Sequence, residues 1–459
     1  MHNTAVLNIV GLTRSLIGEH TPRLRRFLKD GWSVRLQEQF PALTCSSQAA
    51  MLTGMPPGRN GIVANGWYFR DQAEVGFWKQ NNGLVEGEKV YETLKREDPA
   101  FTYAKLFWWY NMYSSADWSV TPRPHYPADG RKVFDVYTYP AAMHDGLIRD
   151  LGPFPFFQFW GPGSGIGSSE WISACAKWVF EKHRPTLNLV YLPHLDYGLQ
   201  KYGPGAHEIP AELAAIDNVA GDLIDYYRDQ GVRVLVVSEY GITCVTRHLH
   251  PNRILRRAGL LEVRPCLDWE MLDAGASAAF AVADHQICHV YVKDKRRISE
   301  VAALFEKEPG QRKVLTGEAI RKQGLDHPRS GDVILMAEPD NWYTYYYWED
   351  DRKAPDFARC VDIHRKPGYD PVELFLDPSS KVIKLKMAWT LLKKTLGFRY
   401  YMDIIPLMPE LVHGSHGTPV DNPLEAPLAI SNFAGADPAC DSLPMTGVRD
   451  LILRHVLDR

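Results

Sequence analysis

The residues best placed to do chemistry begin at Thr44, in the run Phe40-Pro41-Ala42-Leu43-Thr44-Cys45-Ser46-Ser47. This threonine follows a proline-containing strand end and precedes an apparent helix over Gln48 to Leu52, so it falls at a helix N-terminus. A threonine there acts as a cap, and the free amides and dipole of the same helix end stabilise an anion. Capping and phosphate binding can therefore coincide. Asp362 and His364 stand two apart, and on a strand they would project from one face, as joint metal ligands or as a buried hydrogen-bonded pair. Arg365 and Lys366 beside them could meet an anion. Asp284-His285 and Asp326-His327 are weaker offers of the same kind. Aromatic residues gather at Trp67-Tyr68-Phe69-Arg70, just after Asn65, and at Trp342 to Trp348, a pattern that suits a ring-binding platform or a half-buried strand.

Such residues need a scaffold, and the chain is long enough to supply one. At 459 residues it calls for two or three domains, or one large domain with an insertion. Three apolar, β-rich runs, Ala5 to Val10, Leu187 to Leu192 and Val232 to Val237, read as buried parallel strands. Pro210 to Asp229 carries apolar residues at helical spacing. The expected fold class is therefore α/β: a doubly wound, mostly parallel sheet flanked by helices, with its site beyond the carboxyl ends of the strands. The expected division is a main α/β domain over 1–260, an inserted α+β cap over 261–325, and a return to the main domain over 326–459. A second insertion is expected near 366–410.

Composition removes several function classes. With 52 basic against 55 acidic residues, the formal charge of −3 lacks the excess that a polymeric nucleic-acid partner requires. Seven scattered cysteines, none spaced as CxxC, suggest neither a disulfide framework nor a zinc ribbon. The first residues carry no basic leader or cleavage site, and no apolar run is long enough to span a bilayer, which leads to the expectation of a cytoplasmic chain. Lysines interleaved with apolar residues over 381–399 allow a membrane-surface helix or the solvated face of a packed one.

The stretch from Phe40 to Asn65, with Thr44, the Thr53-Gly54 turn and Gly61-Ile62 followed by Asn65, resembles the nucleophile region of type I phosphodiesterases and nucleotide pyrophosphatases, in the alkaline phosphatase superfamily. The likeness continues in order through Gly87-Glu88, Phe107-Trp108-Trp109, Asp196, Tyr202-Gly203-Pro204, Ser238-Glu239-Tyr240-Gly241 and Gly414-Ser415-His416-Gly417. The resemblance implies a hydrolase of small phosphate esters that forms a covalent phosphothreonine at Thr44, with Asn65 on a phosphate oxygen. It also implies one or two divalent ions, zinc foremost, held by Asp196, Glu239 and His416. Three further ligand positions hold Val10, Gln200 and Tyr240 instead, marking a divergent subgroup. Asp362 and His364 are the expected replacements. Trp67, Arg70, Trp108 and Trp109 are the expected substrate-lining residues. The alternatives are a one-metal or metal-free transferase on a phosphorylated small molecule, and a non-catalytic binding protein of the same fold.

Overall fold

A computed structural model describes residues 1–128 and 131–458. Seven strands of the large sheet precede the cap: β1 (Thr4–Ile9), β2 (Trp32–Gln37), β3 (Tyr103–Leu106), β4 (Trp118–Pro122), β5 (Val136–Tyr139), β6 (Leu187–Leu192) and β7 (Arg233–Val237). The chain then builds a separate four-stranded antiparallel sheet from β8 (Ala279–Asp284), β9 (Ile287–Val292), β10 (Gln311–Thr316) and β11 (Val333–Ala337). It returns with β12 (Leu428–Ser431) and β13 (Ser442–Pro444) to complete a nine-stranded sheet in the order β13-β2-β12-β7-β1-β6-β3-β4-β5. The run β7-β1-β6-β3-β4 is parallel throughout. The pairings of β4 with β5, β7 with β12 and β12 with β2 are antiparallel.

β1 is buried along its whole length because helices cover both faces of the sheet, which is why its sequence is almost continuously apolar. The helices used below are α1 (Thr44–Thr53), α2 (Ile166–His183), α3 (His194–Tyr202), α4 (Ile209–Asp229) and α5 (Ile383–Thr395). One apolar core joins the large sheet to α2 and α4, and a second lies in the cap and the hairpin that follows Asn65. β11 lies beyond residue 325 and still pairs within the cap sheet, beside β9 and β10. The adjacency of β7, β1 and β6 brings their carboxyl ends together, and α1 starts against that edge.

Candidate active site

Thr44 is the first residue of α1, preceded by Leu43 in extended backbone (φ −128°, ψ 154°). Its hydroxyl lies 3.0 Å from the Tyr240 hydroxyl, which follows β7. Tyr240 in turn donates to Asp196 Oδ1 at 3.0 Å. The other Asp196 oxygen accepts from the Gln200 amide at 2.6 Å, one turn along α3, and Gln200 Oε1 accepts from the Tyr369 hydroxyl at 2.9 Å. A continuous hydrogen-bonded chain thus runs Thr44–Tyr240–Asp196–Gln200–Tyr369.

Glu239 forms the other side of the site. Its Oε1 accepts from Asn8 at 2.5 Å and from Gln48 at 2.7 Å, and its carboxyl also adjoins the Thr44 hydroxyl. Burial pushes this carboxyl up to about 8 against the Gln48 and Asn8 bonds that favour the charged form. Asp196 is pushed by burial to about 7, opposed by Tyr240 and Gln200, and Asp284 by burial to about 7, opposed by the Asn65 amides. Three buried carboxyls therefore hold protons near neutrality. Of these, Glu239 and Asp284 are sealed, whereas Asp196 retains 8% exposure and can exchange its proton with water.

Asn65 holds the start of α1 in place: its Oδ1 accepts from the Cys45 amide at 3.0 Å, and its own side-chain amide donates to Asp284 Oδ1 at 3.2 Å. The His416 ring stacks on Tyr240 with centroids 3.6 Å apart and planes 7° apart, and packs against His285 at 3.7 Å on a tilt. His416 Nδ1 is bonded to the Ala42 carbonyl at 2.7 Å, and its Nε2 lies 3.8 Å from Asp196 Oδ1.

The structure thus brings Thr44, Asn65, Asp196, Glu239 and His416 into one cluster. It does not bring in Asp362 and His364, which lie at a turn over 363–365 rather than on a strand. Asp362 faces Arg365 at 3.4 Å, and its amide donates to Glu373. Trp67 and Trp108 are core residues, the former beneath the Arg329 guanidinium. Arg70 reaches the cap instead, donating to the Ser330 carbonyl and Asp332. Trp109 does adjoin the site, its backbone amide donating to Gln48 Oε1 at 2.8 Å. Around it Trp78, Tyr369 and Trp160 form a chain of rings with successive centroids 4.8, 5.9 and 5.6 Å apart. Sequence reasoning missed Gln48, Tyr369, Trp78 and Trp160, and His285 ranked low in it. Only Gln48 had a local signal: it lies four residues after Thr44 and so on the same helix face.

A divalent ion needs several converging donors with free lone pairs. Here both Asp196 oxygens and one Glu239 oxygen already accept from protein groups. The Tyr240 hydroxyl fills the space between Thr44 and Asp196. Among the described residues no three His, Cys, Asp or Glu side chains form a metal cradle. The residues present do not fit the metal centre that the resemblance implies.

A model of the type I phosphodiesterase/nucleotide pyrophosphatase family matches residues 4–370. No curated protein matches the sequence. Among solved structures, phosphonoacetate hydrolase from Sinorhizobium meliloti 1021 with phosphonoformate aligns at TM-score 0.63 and 14% identity, over 99% of this chain and 96% of that one. Human ectonucleotide pyrophosphatase/phosphodiesterase 5 aligns at TM-score 0.60 and 12% identity, over 99% and 95%. An inactive variant of the murine protein in complex with AMP aligns at TM-score 0.59 and 12% identity, over 100% and 95%. At these identities the neighbours share the fold.

Proposed function

Since the chain belongs to the type I phosphodiesterase/nucleotide pyrophosphatase family, whose members hydrolyse phosphoesters, we propose that it cleaves a small phosphate ester with Thr44 as nucleophile and a proton relay in place of metal activation. The observation that carries this reading is the chain from Thr44 through Tyr240 to Asp196, 3.0 Å at each step, at the N-terminus of α1. A hydroxyl is a weak nucleophile until a base takes its proton. In the proposed step the Thr44 proton passes to Tyr240 as the Tyr240 proton passes to Asp196. Thr44 Oγ1 then forms a bond to phosphorus while the bond to the leaving ester oxygen breaks. Water next attacks phosphorus and the P–Oγ1 bond breaks; Thr44 Oγ1 takes back its proton from Asp196 through Tyr240, the phosphate is freed, and the proton lost by the water goes through solvent to the departed ester oxygen.

Electrostatics support this division of roles. A carboxyl near 7 suits a base at neutral pH. Glu239, held protonated by burial, puts no negative charge beside the incoming phosphate, and the N-terminal end of α1 favours that anion. Trp78, Trp109, Trp160 and Tyr369 are assigned as the wall for a flat-ringed leaving group.

A second reading, binding without turnover, is favoured by one observation: the Asn65 amide is committed to Asp284 and Thr44 is only 4% exposed. Intact-mass spectrometry after incubation with bis(p-nitrophenyl) phosphate and with p-nitrophenyl phosphate separates the two. Turnover with a phosphothreonine mapped to Thr44, absent in Thr44→Ala, is expected. Equal, slow hydrolysis by wild type and Thr44→Ala refutes the nucleophile assignment.

A further inference from the structure

α5 is fixed to the body of the protein by one apolar face. Ile383 and Met387 pack on the small cluster that holds Trp342, Val372, Ile405 and Val412, and Thr390 on the same side is buried. A helix seated in this way has no folding reason for a second apolar face, yet α5 has one. Val382, Leu385, Trp389, Leu392 and Leu396 recur at alternating steps of three and four residues, and all are exposed, Leu385 to 70%, Trp389 to 56% and Leu396 to 63%. The Leu396 amide still bonds to the Leu392 carbonyl at 3.0 Å, so the stripe continues past the helix end to Phe398, 66% exposed.

The charge within this segment is of one sign. Residues 381–399 hold six basic residues and no acidic one, in a chain whose net charge is −3. Lys381 and Lys384 border the stripe on one side, and Lys393 lies over the Trp389 ring at 5.6 Å on the other. Beside Trp389 is a cleft of about 460 Å³ that Lys393, Arg399 and Tyr401 also line. Lys386 in that cleft is paired with Asp403 at 2.6 Å, whereas no ion pair of Lys393 or Arg399 with a carboxylate is found among the described residues. Among the described residues no helix is long and apolar enough to cross a membrane.

We infer that α5 and the residues up to Phe398 form a docking site for an anionic phospholipid bilayer, lying in the interface with the apolar stripe among the acyl chains and a lipid phosphate in the Lys393–Arg399 cleft. Exposed tryptophan and phenylalanine with lysine flanks are the chemistry of an interfacial helix. A second copy of this chain is the less fitting occupant, because pairing two such faces would bring Lys381, Lys384, Lys393 and Arg399 against the same four charges of the other copy.

The test is flotation of the full-length protein with vesicles of equal parts phosphatidylglycerol and phosphatidylcholine, against phosphatidylcholine alone. Binding to the anionic vesicles only, with release as salt rises from about 0.1 M to about 0.5 M, is expected. Leu385→Asp/Trp389→Asp should abolish binding with unchanged thermal unfolding, since both side chains are exposed. Lys381→Gln/Lys384→Gln should weaken it roughly twenty-fivefold, about fivefold for each charge removed. Absent binding, or equal binding to both vesicle types, overturns the inference. So does a lipid-independent dimer, seen by sedimentation, that Leu385→Asp/Trp389→Asp converts to monomer.

Discussion

Tyr240→Phe removes a single oxygen and tests the relay directly. That hydroxyl makes two bonds, to Thr44 and to Asp196, each 3.0 Å long. Without it Thr44 loses its path to a base, and a missing proton-transfer partner costs about 10²–10⁴ in rate. Asp196 also loses one of the two donors that favour its charged form, so its carboxyl should titrate above about 7. The phenyl ring can keep its stack on His416, which limits the fold change. The expected stability loss is about 1–3 kcal/mol, for one buried carboxyl oxygen deprived of its strong donor. The assay is kcat/KM for a p-nitrophenyl ester from about pH 5 to pH 9, with urea unfolding in parallel. In the wild type activity should rise as Asp196 loses its proton near pH 7. In Tyr240→Phe the rise should move upward and the plateau fall by at least about a hundredfold. A variant with an unshifted profile and a plateau within about threefold of wild type refutes the relay. If Thr44→Ala is inactive in the same series, the nucleophile assignment survives that result.

Four further outcomes are expected. Metal analysis of protein purified without chelator should find no stoichiometric ion, and zinc or chelator should leave kcat/KM unchanged. Zinc-dependent turnover would contradict the reading of the donor set. The combined variant Val10→Asp/Gln200→His/Glu239→Asp/Tyr240→His should gain zinc affinity by calorimetry, because it exchanges hydrogen-bonding or apolar groups for ligands at those positions. Burial raises Glu239 from 4.5 to about 8, so folding retains a proton that the unfolded chain releases. This contribution is complete below about pH 4.5 and is lost as pH rises through about 8. Unfolding free energy should therefore fall with rising pH, by a few kcal/mol on account of this group, and Glu239→Gln should flatten the slope in urea titrations. Arg329→Ala removes guanidinium bonds to the Gly61 and Leu84 carbonyls at 2.8 and 2.7 Å, and should cost about 2 kcal/mol by the same assay.

The sheet was legible because strands buried on both faces need no polar alternation. β6 coincides with the apolar run Leu187 to Leu192, and β1 and β7 differ from theirs by one residue. Their shared carboxyl edge then followed from topology. Thr44, Asp196 and Glu239 were legible because each lies just after such a strand or at a helix start, where local sequence fixes position. Asp362 and His364 were misread because their spacing implies a shared face only on a strand. The backbone there turns instead, with Lys366 drawn inward to Asp370 and Glu373 at 2.8 and 2.6 Å. That ion-pair cluster is tertiary and has no local signature. His285 and Tyr369 reach the site from the cap hairpin and from beyond the cap, so no spacing rule could have joined them to His416.

The residues at the positions where the resemblance implies metal ligands share one physical logic. Removing cations from a site with Asp196 and Glu239 would leave buried charge uncompensated, at a cost of several kcal/mol for each ion. The chain meets that cost with neutral donors and protonation. Gln200 and Tyr240 stand at two lost ligand positions and donate to Asp196, while Asn8 and Gln48 donate to Glu239. Val10 puts an apolar side chain at the third position, where a further carboxylate would add repulsion. A site that had merely lost its ligands would leave the remaining carboxylates unpaired. The donors instead converge on both Asp196 oxygens and on Glu239 Oε1, and Thr44 stands at the head of α1 two hydrogen bonds from Asp196.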